Sequence, residues 1–217
     1  MENDLGTSLT AVSFNMHGFH QGSPVLDDLI THMEPDVIMV QEHWLTPARL
    51  CLFESRFADY FAFGGSAMSS CLESGMLRGR PYGGVMTLIK KGLRKVATTI
   101  YCEERFSVVK VMNCLFINVY FPCVGSLDRL SLCKDIIDNI ASWLTQYHDC
   151  ECLICGDFNV NLDSCDPVGL CVTSFMNDCS FTRCDDLFPS QKVNTYVNQS
   201  LNQESRIDYV SVQRVFC

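Results

Sequence analysis

A chain of 217 residues with 47% hydrophobic and 19% charged side chains can bury a sizeable core, which excludes a disordered or fibrous protein. Its longest apolar runs are of strand length, and residues 1–10 hold two acids and no basic stretch leading into an apolar run. The sequence therefore predicts a soluble, intracellular protein with no secretory leader and no membrane partner.

In chain order, residues 10–14 read as a strand and 24–33 as a helix with Val25, Leu26, Leu29, Ile30 and Met33 on one stripe. Ser23 gives that helix an N-cap, followed by Pro24 at its first position. Residues 37–41 form a buried strand ending at Glu42, and Thr46-Pro47 caps a short helix over 46–57. The Gly- and Ser-rich segment 64–84 is expected to be a surface loop. Strands follow at 84–90, 106–112 and 115–121, then an amphipathic helix over 126–147. A buried strand at 152–155 runs into Gly156-Asp157, a helix covers 170–178, and late strands occupy 193–197 and 207–212. Without repeats or linker-like tracts, residues 8–217 are expected to form one domain behind a disordered tail, 1–7. Strands dominate, with helices set between them, the pattern of an α+β protein whose sheets pack together under outer helices.

Fourteen cysteines invite a disulfide or zinc reading. Cys152 and Cys155 have Cys-x-x-Cys spacing, but residues three apart on a strand point to opposite faces and cannot easily share one ion. The thiols are expected to be reduced, mostly buried small hydrophobes. The net charge of −9 argues against a non-specific nucleic-acid binder, although acids that hold a cation are neutralised by it. Six bases, Arg78, Arg80, Lys90, Lys91, Arg94 and Lys95, fall within eighteen positions, as a nucleic-acid contact or a solvated edge.

Polar residues appear where four apolar runs give out: Phe14-Asn15, Val40-Gln41-Glu42, Cys155-Gly156-Asp157-Phe158-Asn159 and Arg206-Ile207-Asp208-Tyr209. Such residues can meet in one cleft at the mouth of a sheet. Carboxylates and carboxamides offer hard oxygen donors, which suit Mg²⁺ or Mn²⁺ and disfavour zinc. Each segment alone is unspecific, since Asp-x-Asn after a strand is more often a turn. The four in this order are far less expected by chance.

In order and wording these segments resemble the endonuclease/exonuclease/phosphatase superfamily over about residues 8–213. Within it, Gln41-Glu42-His43-Trp44-Leu45 and Arg206-Ile207-Asp208-Tyr209-Val210 are most similar to the endonucleases at the amino end of LINE-type (non-LTR) retrotransposon polyproteins. The resemblance implies a four-layer α/β/β/α sandwich of two mixed β-sheets packed face to face, with the helices outside. It also implies a Mg²⁺-dependent endonuclease that nicks chromosomal DNA in the nucleus, linked to a reverse transcriptase. Asn15 and Glu42 would hold the metal, and Tyr120 in Asn118-Val119-Tyr120-Phe121-Pro122 would contact the scissile phosphate. Asp157 would orient or deprotonate the water with Asn159 fixing it, and Asp208 would orient a histidine. Segment 196–205, with Asn198 and Asn202 beside Arg206, is either a hairpin that reads the minor groove or a solvated turn.

Two departures stand out. His17 occupies a place that is often acidic in the family, and none of the nine residues after Asp208 is the histidine of the final Ser-Asp-His motif. The resemblance thus implies a chain whose final strands are missing and whose activity is impaired. Two other readings follow. One is a catalytically dead fragment that binds partners. The other is a phosphatase of the same superfamily, against which stand Cys155 and Asn161 where phosphoinositide enzymes carry Trp and Arg.

Overall fold

The computed structural model describes residues 8–69, 75, 80–187, 194–198 and 202–213. Every residue of Val37–Gln41 is buried, and this strand, β2, lies inside a four-stranded sheet. Its neighbours are β1 (Ala11–Asn15), which is parallel to it, and β4 (Val85–Lys90), which is antiparallel; β3 (Tyr60–Gly65) completes the order β1-β2-β4-β3. Strands β5 (Ala97–Cys102), β6 (Phe106–Val111), β7 (Cys114–Tyr120), β8 (Glu151–Asp157), β9 (Thr182–Arg183) and β12 (Asp208–Gln213) form a second sheet in the order β5-β6-β7-β8-β12-β9. Its one parallel pair is β7 with β8. Between β9 and β12, β10 (Tyr196–Asn198) and β11 (Gln203–Ser205) make a separate antiparallel ribbon.

Three apolar layers hold the sheets and helices together. Helices α1 (Phe19–Met33) and α2 (Leu52–Arg56) cover the first sheet, packing Leu26 and Phe53 with Ile38, Val40 and Leu88. Val37, Met39 and Ile89 meet Val109, Phe116 and Cys155 between the two sheets. On the far side, α3 (Arg129–Gln146) and α4 (Pro167–Asp178) pack Ile136, Ile140, Val172 and Phe175 on Leu115, Ile117 and Ile154; a short α5 (Cys184–Leu187) follows β9. This is the α/β/β/α sandwich of two mixed sheets expected above. Ile38 is fully buried, so Ile38→Ala would cost about 2–5 kcal/mol.

A polar seam interrupts the apolar layer between the sheets. Asn118 on β7 donates through Nδ2 to the Val40 and Met86 carbonyls at 3.1 and 3.2 Å, and its Oδ1 accepts from Gln41 Nε2 at 2.7 Å. Both side chains are fully buried. The bonds join the two sheets at one depth and fix how far one slides on the other. That depth lies one position below Glu42.

Several element boundaries differ from expectation. Helix α1 begins at Phe19, so Ser23 is no cap: it is buried, and its hydroxyl donates to the Phe19 carbonyl. The chain entering α1 instead satisfies its own N–H groups with Gly18 N donating to Glu42 O and Phe19 N to His43 O, which draws the helix back toward the mouth of the sheets. Pro24 is then the sixth helical residue. The 46–57 segment splits into a 3₁₀ turn at Pro47–Arg49 and α2. Gly64 and Gly65, read as loop, pair with Met86 and Val85. Strands β3 and β5 were not expected at all. Cys152 and Cys155 do face opposite sides of β8, but of the twelve described cysteines only Cys133, Cys150, Cys152 and Cys155 are buried. Among the described residues no helix is long and apolar enough to cross a membrane.

Candidate active site

The register of the strands explains why their polar ends meet. Tyr120, Asp157 and Asp208 are Cα partners across β7, β8 and β12, three adjacent strands of one sheet. In the other sheet Asn15 ends β1 opposite Gln41, and Glu42 follows immediately. Asn15 closes the gap between the sheets: its Nδ2 donates to Glu42 Oε1 at 3.2 Å and to Asp157 Oδ2 at 2.9 Å. Four acids and amides far apart in sequence thus share one mouth.

Each is held by local geometry. Gly156 has φ +142°, and a Cβ there would lie 2.0 Å from the Val119 carbonyl, so only glycine lets β8 run this close to β7 before Asp157. Asp157 Oδ1 accepts from Asn159 N at 2.8 Å, an Asx turn, while Phe158 between them is fully buried against Phe121 and Tyr209. Asn159 Nδ2 donates to the Phe121 carbonyl at 3.0 Å, so the contribution of this side chain that the structure shows is to the turn. His17, Glu42, Trp44 and Asn159, all at this mouth, have φ between 47° and 55°, the left-handed region that side chains avoid. Non-glycine residues there cluster at functional sites.

The electrostatics follow from crowding acids in a half-dry place. Asp157 is raised to about 7, first by burial and then by Asp208 and Glu42, against the hydrogen bonds from Asn159 and Asn15. Asp208 is also raised, by burial and Glu42, although a bond from Thr195 opposes this. Burial and the nearby Glu42 and Asp157 push the Tyr120 phenol up, which keeps it a hydrogen-bond donor. His17 stacks edgewise on Trp44 at 4.5 Å with Nδ1 3.8 Å from Glu42 Oε2, and Trp44 Nε1 donates to that same oxygen at 3.2 Å. Buried His43 is lowered to about 4 and stays neutral; Leu45 N donates to its Nδ1, which leaves Nε2 to donate to the Gly65 carbonyl.

Arg129, Asp166 and Thr195 were missed by sequence reasoning. Arg129 grips Asp166 with two bonds of 3.2 and 3.1 Å and donates to the Pro122 and Asn159 carbonyls, so it ties the ends of β7 and β8 to the cap of α4. Asp166 accepts from Val168 N and Gly169 N, and the Asp166-Pro167 pair was a legible helix start. Thr195 Oγ1 accepts from Ile207 N and Asp208 N, fixing the entry to β12. Arg206 is only 8% exposed, lies over the Tyr209 ring and reaches Asp163 at 2.8 Å and Asp185 at 3.6 Å, so it faces into an ion network rather than outward. Asn198 lies on β10 and Asn202 in the turn before β11, on the ribbon that leads into Asp208.

The residues present fit a hard cation. Glu42, Asp157 and Asp208 present carboxylate oxygens, and among the described residues no Lys or Arg is bonded to them; Asn15 turns its Nδ2 toward Glu42 and Asp157, while its Oδ1 accepts from His17 N at 3.0 Å. Among the described residues no group of three His, Cys, Asp or Glu side chains is placed to hold a metal ion.

The model of the endonuclease/exonuclease/phosphatase family matches residues 12–210 of this sequence, a span that includes all four strand ends. The chain belongs to that family. No curated protein gives a significant match. Among solved structures, it is similar to the 3′ phosphatase NExo from Neisseria bound to a product DNA hairpin (TM-score 0.70, 15% identity, covering 94% of this chain and 86% of that one). An AP endonuclease from Archaeoglobus fulgidus is comparable (TM-score 0.67, 13% identity, 94% and 86% covered). So is the AP endonuclease LMAP from Leishmania major (TM-score 0.71, 17% identity, 98% and 81% covered). At these identities the likeness establishes the shared fold.

Proposed function

We propose that this chain is a divalent-metal-dependent DNA endonuclease of the LINE-type retrotransposon kind, which nicks target DNA to expose a 3′ end. The observation that carries the reading is the Asn15 amide bridging Glu42 and Asp157, with Asp208 in register beside Asp157. The LINE-type assignment is supported by the wording of Gln41-Glu42-His43-Trp44-Leu45 and Arg206-Ile207-Asp208-Tyr209-Val210. On that assignment a linked reverse transcriptase extends the exposed end in the nucleus. Nucleases of this family in general depend on a divalent metal, and two of the similar structures are AP endonucleases.

Glu42, with Asn15 beside it, would hold Mg²⁺ or Mn²⁺. A bound ion supplies Lewis acidity toward a phosphate oxygen. The chain's own groups do the rest. Asp157, raised to about 7, takes the proton of the attacking water near neutral pH, where a base works best. Tyr120 stays protonated and donates to the phosphate, stabilising charge as it develops. Asn159 and Gly156 hold the Asp157 carboxylate in place. As the water oxygen bonds to phosphorus, the bond to the 3′ oxygen breaks, and that oxygen takes a proton from solvent to leave as a hydroxyl.

The test is a supercoiled-plasmid assay with and without Mg²⁺. Wild-type chain is expected to convert supercoiled to nicked circle only with metal, and Glu42→Gln to slow this by about 10²–10⁴-fold, the range of a positioned catalytic group. Equal rates for the two proteins would refute the reading.

A further inference from the structure

On the Glu42 side of the mouth lies a cavity of about 310 Å³ that no step above uses. Its walls combine two chemistries: Trp44, Phe19 and His20 supply flat rings, and Arg49 and Arg80 supply guanidinium groups. None of its lining residues is Asp or Glu, in a chain of net charge −9. Both arginines are exposed, and neither forms an ion pair among the described residues. An acid-free hollow with two available guanidinium groups, one side chain away from a crowd of acids, attracts an anion that also carries a flat apolar part.

Trp44 is built as a fixed wall rather than a loose surface ring. Its Nε1 donates to Glu42 Oε2, its backbone N donates to the Gly83 carbonyl at 3.0 Å, and His17 closes on it at 4.5 Å. Its indole packs so tightly on Gly18, itself at φ +97°, that a Cβ there would lie 2.7 Å from Cε3. A stacking partner already immobilised loses little freedom on binding. Trp44 both hydrogen-bonds Glu42 and lines this cavity, so whatever stacks there is placed relative to the reacting phosphate.

We propose that this cavity takes the nucleotide flanking the scissile phosphate, its base stacked on Trp44 and its outer phosphate on Arg49 and Arg80; the proposal rests on the DNA endonuclease reading. The volume sits at the small end of ligand sites, about 300–1,000 Å³, and admits one nucleotide rather than a duplex. A base that enters must leave its helix, so the preferred substrate is DNA unpaired or easily unpaired beside the nick. Aromatic stacking accepts every base, whereas the arginines require a phosphate.

The chain has two tryptophans, so Trp143→Phe leaves Trp44 as the sole tryptophan, excited at the red edge where the seven tyrosines do not absorb. This protein is titrated, in Ca²⁺ to prevent turnover, with a short single-stranded oligonucleotide and with versions carrying one abasic tetrahydrofuran residue at successive positions. Base-bearing DNA is expected to quench Trp44, and one abasic position to lower affinity about five-fold or more. Arg49→Ala with Arg80→Ala should weaken binding at least tenfold without changing the melting temperature. Equal quenching and affinity for every abasic position, or unaltered affinity in the double variant, would overturn the pocket. Glu42-dependent plasmid nicking that persists beside such a result removes only the pocket. Absent nicking removes the endonuclease reading whatever the fluorescence shows.

Discussion

Asp157 carries the largest burden placed on a single residue here. Burial and two neighbouring acids raise it to about 7, so its neutral form is the one the fold prefers. The sign for stability follows. An acid raised in the folded state binds more protons folded than unfolded, so stability is full below the ordinary carboxylate range and falls as pH rises toward about 7. With about 1.4 kcal/mol per unit, and a counterion softening the effect, the loss is on the order of a few kcal/mol. Metal-free Asp157→Asn should therefore gain melting temperature relative to the native chain as pH rises from about 4.5 to 7.5, a comparison in which the opposite slope of His43, held at about 4 by burial, cancels. Thermal denaturation in chelator across this range checks it; an identical slope in the variant would mean that the strain lies elsewhere.

Elements, rather than isolated side chains, set the depth at which the two sheets meet. Asn118 on β7 binds Gln41 on β2 and two backbone carbonyls of the opposite sheet, all fully dry. Asn118→Leu would leave those partners unsatisfied, at about 1–3 kcal/mol for each group, so a loss of about 3 kcal/mol or more in urea denaturation is expected. The same elements show what the sequence made legible. Strands β2, β7 and β8 are continuous apolar runs, and their ends at Glu42, Tyr120 and Asp157 could be read directly. Strand β5 could not, because it is an edge strand with exposed Thr98 and Thr99 and a register shift after Thr99. The start of α1 was hidden because its entry is fixed by the Glu42 and His43 carbonyls, which lie on another element. Thr195 and Arg129 were hidden for the same reason: their roles exist only once distant strand ends have come together.

At the scale of the molecule, the described members of the sequence cluster of bases do not form one surface beside the site. Arg80 lines the Trp44 cavity, but Lys90 ends β4 and Lys91, Arg94 and Lys95 follow it, whereas the strand's other end, Val85, pairs with Gln41. Five residues of strand separate the two ends, about 17 Å at 3.3 Å per residue. Arg78 lies outside the described residues. Among the described residues near the mouth, Arg49 and Arg80 line the Trp44 cavity and Arg105 lies over the Tyr120 ring, while Arg129 is engaged by Asp166 and the Asn159 carbonyl. With about three phosphates neutralised, the logarithm of DNA affinity should fall with the logarithm of salt at a slope of about −3 on duplex. A slope near zero in a salt series of binding isotherms would exclude a phosphate-tracking surface here.

Everything rests on two sheets bringing acids to a common cation. Electron paramagnetic resonance with Mn²⁺ reports free and bound ion directly, needs no DNA and does not depend on turnover. The chain is expected to bind one Mn²⁺, displaced by excess Mg²⁺, with Glu42→Gln weakening that binding at least tenfold. Binding that Glu42→Gln leaves intact, or no binding at all, would contradict the site described.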